Sequence, residues 1–220
     1  MLEIRSISVG KLFTNVYLVF DSESREGILI DPGDEAERIM ELVNRLGVDV
    51  EAIYLTHGHF DHLLAVRDLK ADLDCKLYLH PADREILSLV PHDARYFLGR
   101  DVPPPPEPDE WLIDGQSIKV GRYYGKVIHT PGHTPGSVCF LFKDIIFTGD
   151  TLFAGSIGRT DLPGGSLESL LSSLKNKVLK LPDDFVIYPG HGPSSTIGVE
   201  RRLNPFIRHI TELQDSRRPP

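Results

Sequence analysis

The sequence predicts an α/β (α+β) fold in which two β-sheets pack face to face with helices on their outer faces. Short apolar strands occur in two successive blocks, one on each side of a proline-rich segment, and each block also contains amphipathic helical stretches. Sheets and helices with one apolar side must bury it against another element, and a layered sandwich meets that need. We expect one domain over residues 1–210 and a frayed tail over residues 211–220.

The first block alternates strands with helices. Segments that are apolar, or that alternate apolar with polar residues, predict strands at Ile4–Val9, Asn15–Phe20, Gly27–Asp31, Glu51–Thr56 and Cys75–His80. Asp34 can cap a helix whose apolar residues recur at helical spacing until Gly47 ends it. Another helix is expected to end near Lys70, and Pro81 opens a third because proline is favoured at the first helical position.

A proline-rich segment separates the blocks. The apolar pattern breaks from Pro91 to Glu110, and the four prolines of Pro103–Pro106 predict an extended surface loop. The second block then predicts strands at Trp111–Ile113, Ser117–Val120, Lys126–His129, Val138–Phe142, Ile145–Phe147 and Phe185–Tyr188. A helix opened by Ser166 carries its leucines on one face, and a short helix is predicted near Glu200–Arg208.

The composition argues against several function classes. The 220 residues include 32 acidic and 24 basic side chains, a net charge of −8, whereas a general phosphate-backbone binder needs the opposite sign. No window approaches the roughly 20 apolar residues that span a bilayer, and the N-terminus lacks the pattern of a secretion signal. We therefore expect a cytoplasmic protein that binds neither nucleic acid nor membranes.

Three imidazoles and a carboxylate lie within six positions, at His57, His59, Asp61 and His62. Imidazole and carboxylate groups are ligands of Zn, Fe and Mn, whereas an all-oxygen set would suit Ca or Mg. Side chains alternate in an extended turn, so that His57 and His59 can share one metal while Asp61 and His62 face another. The alternative interpretation is a capped helix with solvated histidines.

Possible ligands recur at three further strand ends. Apolar strands lead into His133, Asp150 and His191, each beside a glycine. Side chains at strand ends on tight glycine turns can be aimed into one pocket from a rigid scaffold. The four strand ends therefore predict one shared site.

The number of these ligands favours two metals. We expect two sets of three ligands and one bridging carboxylate: His57, His59 and His133 for the first ion, Asp61, His62 and His191 for the second, and Asp150 between them. Two such ions lower the pKa of a shared water to about 7, which makes hydroxide available as a nucleophile. Zinc is favoured, and iron or manganese also suits the ligands. A single metal with additional histidines around it is the alternative.

The order of these residues resembles the metallo-β-lactamase superfamily over nearly the whole chain. Within that superfamily, the segments TPGHTPG (130–136), GDTLF (149–153), GRTDLPGG (158–165) and PGHG (189–192) are similar to the glyoxalase II branch, of which Asp61 is the typical carboxylate. The resemblance implies a four-layer αββα sandwich of two mixed β-sheets with a dinuclear metal site. It also implies hydrolysis of thioesters such as S-lactoylglutathione.

Two features depart from the glyoxalase II pattern. Full-length members continue into a helical C-terminal domain that contacts glutathione, whereas 29 residues follow His191 here, and Gly192–Ser194 replace the family's aromatic residue. We therefore expect a short form without much of the glutathione contact. The resemblance assigns Arg159 to an anionic group of the substrate, and an ion pair with Asp161 is the alternative.

A second activity also fits the Gly-Arg-Thr-Asp segment at 158–161. This segment resembles the persulfide dioxygenases, which bind one iron through two histidines and an aspartate and consume oxygen. In that case His57, His133 and Asp150 would hold the iron. The leading expectation is a metal-dependent hydrolase in which Asp61 orients a metal-bridging hydroxide that attacks a small anionic thioester.

Overall fold

A six-stranded mixed sheet forms the first half of the sandwich in the computed structural model, which describes residues 1–208. Its strands lie in sequence order: β1 (Leu2–Val9), β2 (Thr14–Asp21), β3 (Glu26–Ile30), β4 (Asp49–Tyr54), β5 (Lys76–Leu79) and β6 (Glu110–Trp111). The first three strands pair antiparallel, and β3 to β6 pair parallel. The parallel strands therefore end at one edge of the sheet.

The second half is a six-stranded sheet in which one pair of strands is parallel and the other pairs are antiparallel. In chain order its strands are β7 (Ser117–Val120), β8 (Tyr123–His129), β9 (Val138–Phe142), β10 (Ile145–Gly149), the separate hairpin β11 (Leu152–Phe153) and β12 (Ser156–Ile157), then β13 (Val186–Pro189) and β14 (Ser195–Thr196). The spatial order of the sheet is β14-β13-β10-β9-β8-β7. Because β10 and β13 pair parallel, their carboxyl ends lie side by side.

Helices cover the outer face of each sheet. The first sheet is covered by α1 (Ala36–Leu46), α2 (Val66–Leu73) and α3 (Arg84–Leu98), and the second by α4 (Leu167–Asn176) and α5 (Ile197–Leu203). A separate cluster of buried side chains, which includes Phe140 and Phe147, fills the space between the sheets. The predicted four-layer sandwich is confirmed.

Strand β2 shows how the sequence produces this layering. Leu18 and Phe20 belong to the core beneath the helices, whereas Tyr17 and Val19 belong to the core between the sheets. Successive side chains of a strand point to opposite faces, so a continuous apolar run is needed where both faces are covered. Each fully buried apolar side chain contributes about 1.5–3 kcal/mol of transfer free energy.

The prediction of a loop from Pro91 was wrong, because α3 continues through this proline to Leu98. Proline removes one helical hydrogen bond and crowds the preceding turn. Here the helix also buries Leu87, Val90 and Ala94 against the first sheet, and this packing outweighs the local cost. The extended segment therefore begins only after Gly99, which ends the helix with a φ of 66°.

Smaller differences lie at the ends of elements. Asp34 does not cap α1: Glu35 occupies the capping position without a side-chain hydrogen bond, and Asp34 instead accepts hydrogen bonds from the Glu35 amide and Arg100. The predicted tail, residues 211–220, lies outside the described residues, and the single domain over 1–210 stays a prediction. No helix within residues 1–208 is both long enough and apolar enough to cross a membrane.

Two stacked histidines join the sheets outside the candidate site. The rings of His80, after β5, and His129, at the end of β8, lie 4.1 Å apart at 13°. His129 Nε2 donates to the Pro135 carbonyl, 2.9 Å away. Burial, with a further contribution from His129, lowers the pKa of His80 to about 4. The surroundings of His80 therefore favour its neutral imidazole.

Replacing His80 with asparagine tests this contact. Because the folded-state pKa of His80 lies below its ordinary value of about 6.5, its contribution to stability is complete above pH 6.5 and is lost as the pH falls towards 4. Asparagine keeps an acceptor for the Ala82 amide but does not titrate. We expect the free energy of unfolding, measured by urea denaturation, to fall less steeply between pH 6.5 and 4 in His80→Asn than in the wild type. Equal slopes would contradict this account.

Candidate metal centre

Four strand ends converge on one edge of the sandwich. His57 follows β4, His133 lies in the loop after β8, Asp150 follows β10, and His191 follows β13. Backbone hydrogen bonds connect these loops across the sheets: the Val138 amide donates to the Thr56 carbonyl at 2.8 Å, and the Asn15 amide donates to the Gly190 carbonyl at 2.7 Å. The structure brings all seven predicted metal ligands together at this edge.

The first group of ligands consists of three buried histidines. His59 Nδ1 and His133 Nε2 lie 2.9 Å apart, and one nitrogen of His57 lies within 4.8 Å of both. His57 Nε2 is buried and has no hydrogen-bond partner among the described residues. Three ring nitrogens therefore face one point.

The second group lies beside the first and includes a carboxylate. Asp61 Oδ2 is 3.2 Å from His191 Nε2 and 3.5 Å from His62 Nε2, and the two imidazole nitrogens are 3.3 Å apart. Thr14 Oγ1 donates a hydrogen bond to Asp61 Oδ2 at 3.1 Å. This group also presents three donor atoms to one point.

The Asp150 carboxylate lies between the two groups. Its Oδ2 is 3.6 Å from both His133 Nε2 and His191 Nε2, and its Oδ1 is 3.4 Å from His62 Nε2. Asp150 Oδ1 is buried and has no hydrogen-bond partner among the described residues. Asp150 thus contacts members of both groups, as a bridging ligand must.

Hydrogen bonds at the outer nitrogens orient three of the imidazoles. His133 Nδ1 donates to the Arg159 carbonyl at 2.8 Å, and His191 Nδ1 donates to the Leu12 carbonyl at 3.0 Å. The Thr56 hydroxyl, which donates to Asp31, lies 3.0 Å from His57 Nδ1 and can accept from it. Because these Nδ1 atoms carry the hydrogen, each Nε2 presents a lone pair towards the centre.

Asp31 is a supporting residue that the sequence analysis did not assign to the site. Its carboxylate accepts hydrogen bonds from the Thr56 amide and hydroxyl at 2.7 and 2.6 Å, and its Oδ2 lies 3.0 Å from His62 Nδ1. The sequence does carry a signal for Asp31: like the candidate ligands, it follows an apolar strand and precedes a turn, here Pro32–Gly33. Asp31 connects the strand before His57 to the ring of His62.

The electrostatics differ between the two groups. Burial, reinforced by the neighbouring imidazoles, lowers the pKa of His57 well below its ordinary value and that of His59 to about 3. Burial opposes the charged form of His62, but Asp61, Asp150 and Asp31 outweigh it and raise its pKa to about 10. Burial also opposes the charged form of Asp61, but the neighbouring histidines outweigh it and hold the pKa of Asp61 well below its usual range. Burial therefore favours neutral imidazoles at His57 and His59, whereas the surrounding carboxylates favour the charged form of His62.

The residues fit a pair of divalent ions. The buried ligand atoms His57 Nε2 and Asp150 Oδ1 have no hydrogen-bond partner within residues 1–208, and buried polar atoms without partners are rare in folded proteins. At Gly190 a Cβ would lie 2.2 Å from Asp150 Oδ1 and 2.7 Å from His62 Cε1, so only glycine leaves room for these ligands. Nitrogen and carboxylate donors in this number suit zinc, iron or manganese.

Asp83 joins the loops that carry the histidines, and the sequence analysis missed it. This fully buried carboxylate accepts hydrogen bonds from the Gly58 amide at 2.8 Å, the Gly136 amide at 2.6 Å and the Thr134 hydroxyl at 2.8 Å. A Cβ at Gly136 would lie 2.7 Å from the Asp83 carboxylate. Asp83 therefore fixes the His57–His59 loop of one sheet against the His133 loop of the other.

Arg159 forms the ion pair that the sequence analysis gave as the alternative. Its Nε and Nη2 donate to the two carboxylate oxygens of Asp161, both at 2.8 Å. The Arg159 carbonyl is the acceptor for His133, so the backbone of this residue supports the site directly. Its predicted contact with substrate stays a prediction.

Five of the seven candidate ligands line a cleft of about 460 Å³: His59, Asp61, His133, Asp150 and His191. This volume lies within the range of small-molecule sites. The rest of the cleft is lined mainly by apolar side chains, contributed by α3, the β1–β2 loop, the segment after β4, the β11–β12 hairpin and the loop before α4: Leu12, Phe60, Ile86, Leu89, Phe97, Phe153, Ile157, Leu162 and Pro163. A small molecule that enters the cleft therefore reaches both groups of ligands.

Known proteins are similar to this chain in sequence and in fold. Residues 9–191 match the family model described as Metallo-beta-lactamase superfamily. The hydroxyacylglutathione hydrolase GloC of Haemophilus influenzae is 39% identical over 210 residues, which cover 94% of this chain and 98% of that protein.

Solved structures are similar over nearly their whole length. The BLEG-1 B3 metallo-beta-lactamase has a TM-score of 0.87 at 37% identity, covering 93% of this chain and 99% of the other. TTHA1623, solved in a di-iron-bound form, has a TM-score of 0.81 at 41% identity, covering 92% and 99%. ETHE1 from Myxococcus xanthus has a TM-score of 0.79 at 26% identity, covering 99% and 92%.

Replacing Asp83 with alanine tests its role in holding the loops together. The substitution leaves up to three donors without an acceptor, and each such buried donor costs about 1–3 kcal/mol. We expect Asp83→Ala to lower the free energy of unfolding of the metal-free protein by about 2–4 kcal/mol in urea denaturation. Asp72→Ala, at an exposed position of α2, is the matched control and should stay within about 0.5 kcal/mol of the wild type. An equally small effect of Asp83→Ala would contradict the assignment.

Proposed function

The chain belongs to the metallo-beta-lactamase superfamily of metal-dependent hydrolases, and we propose that it hydrolyses thioesters, S-lactoylglutathione among them, with two divalent ions. The observation that carries the proposal is the pair of ligand groups on the two sides of Asp150, at the floor of a cleft that fits a small molecule. The 39% identity to the hydroxyacylglutathione hydrolase GloC supports this choice of substrate class.

The proposal gives each ion one ligand group. His57, His59 and His133 would hold the first ion, Asp61, His62 and His191 the second, with Asp150 shared between them. When bound, two such ions polarise a carbonyl oxygen and lower the pKa of a water to about 7. Zinc remains favoured, and the di-iron form of TTHA1623 supports iron as an alternative.

Asp61 is placed to orient the nucleophile. Its Oδ2 lies beside His62 and His191 and faces the cleft, and the hydroxyl of Thr14 fixes this oxygen at 3.1 Å. A carboxylate in this position accepts a hydrogen bond from the attacking water and directs its lone pair at the substrate carbonyl. Because its pKa is held well below its usual range, Asp61 is ionised at neutral pH.

The reaction needs little further help from side chains. Water supplies the oxygen that bonds to the thioester carbon, the carbon–sulfur bond breaks, and its electron pair leaves on sulfur. The products are a carboxylate and a thiol, with release of one proton. A thiol has a pKa of about 8.5, so the thiolate leaves without a strong general acid. This explains why no general acid needs to be placed beside the leaving group.

The proposed partner is a small anionic thioester, with neither nucleic acid nor a membrane involved. Arg159 lies at the cleft with its guanidinium about half exposed. It would contact an anionic group of the substrate while it keeps its ion pair with Asp161. A cationic group at the cleft edge would favour anionic substrates.

The second candidate is an iron-dependent oxygenase of the persulfide dioxygenase type. His57, His133 and Asp150 would then hold one iron, and the similarity to ETHE1 is compatible with this activity. The presence of the complete second group, in which His191 and His62 lie against Asp61, favours the hydrolase. Oxygen uptake with glutathione persulfide, in protein that binds a single iron, would identify the oxygenase instead.

Metal content and thioester turnover test the proposed function together. We expect two divalent ions per chain by elemental analysis and hydrolysis of S-lactoylglutathione. Asp150→Ala should lose at least one ion and lower kcat/KM more than about a hundredfold, since even residues that only orient ligands contribute 10- to 100-fold. Asp144→Ala, in the exposed turn before β10, is the matched control and should keep both values. Normal turnover by metal-free Asp150→Ala protein would refute the proposal.

Thr14→Val tests the orientation of Asp61. Valine keeps the buried volume at this position but removes the hydroxyl that donates to Asp61 Oδ2. One hydrogen bond to a carboxylate contributes about 1.5–3 kcal/mol, so we expect kcat to fall about 10- to 100-fold while two ions stay bound. Thr14→Ser, which keeps the hydroxyl, should restore most of the activity. An unchanged kcat in Thr14→Val would exclude this role.

A further inference from the structure

We infer that the cleft above the candidate metal centre binds an apolar alkyl or aryl group of the substrate, next to the scissile carbon–sulfur bond. The inference rests on the proposed thioesterase function and narrows its substrate class.

Helix α3 presents apolar side chains to the cleft as well as to the core. Leu87, Val90 and Ala94 pack in the core over the first sheet, whereas half-buried Leu89 belongs to none of the three core clusters and lines the cleft beside buried Ile86. A helix of a globular protein usually needs one apolar stripe. Leu89 therefore leaves apolar surface that a molecule in the cleft can bury.

Phe97 near the end of α3 and apolar side chains from two loops continue this surface around the cleft. Leu12 of the β1–β2 loop and Phe97 of α3 remain 44% and 46% exposed, and Leu162 lines the cleft from the loop before α4. Contiguous exposed apolar surface is uncommon on a soluble protein and often marks a ligand site. Here the surface lies around an opening rather than on a flat face.

The charged residues of the cleft already have partners within the protein. Apart from the candidate metal ligands, the charged side chains that line it are Asp93 and Arg159. Asp93 Oδ1 lies 2.9 Å from His92 Nδ1, and Arg159 forms two hydrogen bonds with Asp161. Apart from the contact proposed for Arg159, a charged substrate group would therefore find few groups of opposite charge in the cleft, whereas an apolar group would bury surface along most of it.

The cleft places such a group beside the reacting atoms. His59, Asp61 and His133 of the ligand groups line the same cavity as Ile86 and Leu89. A substrate whose carbonyl lies over the ligands can thus extend its adjoining chain along α3. The apolar chain can be the acyl group or the thiol group, since both adjoin the carbonyl.

Two substrate series measure the preference and identify the side of the bond. In the first, acetyl, butanoyl, hexanoyl and octanoyl groups are attached to N-acetylcysteamine. In the second, acetyl thioesters are made from ethanethiol, butanethiol and hexanethiol. A buried methylene is worth about 0.8 kcal/mol, so we expect kcat/KM of the two-metal enzyme to rise up to about fourfold per methylene in one series.

A variant of the cleft surface shows where the chain binds. Leu89→Asn should reduce this rise to less than about twofold per methylene, with metal content retained. Leu203→Asn makes the same chemical change at a 71% exposed position of α5 away from the cleft, and its series should match that of the wild type. An equal rise in kcat/KM per methylene in the wild type and both variants would overturn the inference.

Binding without turnover separates the inference from the proposed function. Titration calorimetry with butanoate, hexanoate and octanoate should give affinities that rise with chain length and a negative heat-capacity change. In Leu89→Asn both the rise in affinity and the heat-capacity change should be smaller. If no thioester is hydrolysed but this binding series holds, the thioesterase proposal fails and the apolar cleft stands. If S-lactoylglutathione is hydrolysed while both kinetic series and the binding series are flat, the hydrolase stands and the inference is overturned.

Discussion

The structure depends on holding seven donor side chains together, although some of them face one another without a hydrogen-bond partner. Imidazole nitrogens lie 2.9 Å apart at His59 and His133, and buried atoms of His57 and Asp150 have no partner among the described residues. Burying polar atoms in this way is costly unless a ligand satisfies them. The surrounding fold supplies the opposing force: three apolar cores fix the sheets, and Asp31, Asp83 and Thr56 connect the loops that carry the ligands.

Much of the site could be predicted because its signals are local in the sequence. His57, Asp150 and His191 each follow an apolar strand at a glycine turn, so the shared edge of two sheets was expected before their contacts were known. Asp83 gave no such signal, because its role arises only where a loop of one sheet meets a loop of the other. Pro91 misled the prediction for a related reason: local propensity favours a break, but the packing of α3 against the first sheet is decided by distant residues.

The ligands and the cleft surface have separate origins in the fold. The ligands follow the ends of strands, which are held by hydrogen bonds between and within the sheets. The surface of the cleft instead comes from α3 and from loops, so that its chemistry can differ while the ligands remain in place. This separation is consistent with relatives of different names, a hydroxyacylglutathione hydrolase and a B3 metallo-beta-lactamase, that match the chain at similar identity. The residues on α3 are therefore where the choice of substrate is best examined.

The most direct measurement is anomalous X-ray diffraction from crystals of the protein grown with zinc. The account predicts two anomalous peaks per chain about 3.5–4 Å apart. One should lie against His57, His59 and His133 and the other against Asp61, His62 and His191, with Asp150 in contact with both. A single peak, or a second peak away from His191, would contradict the claim that these side chains form one two-metal site.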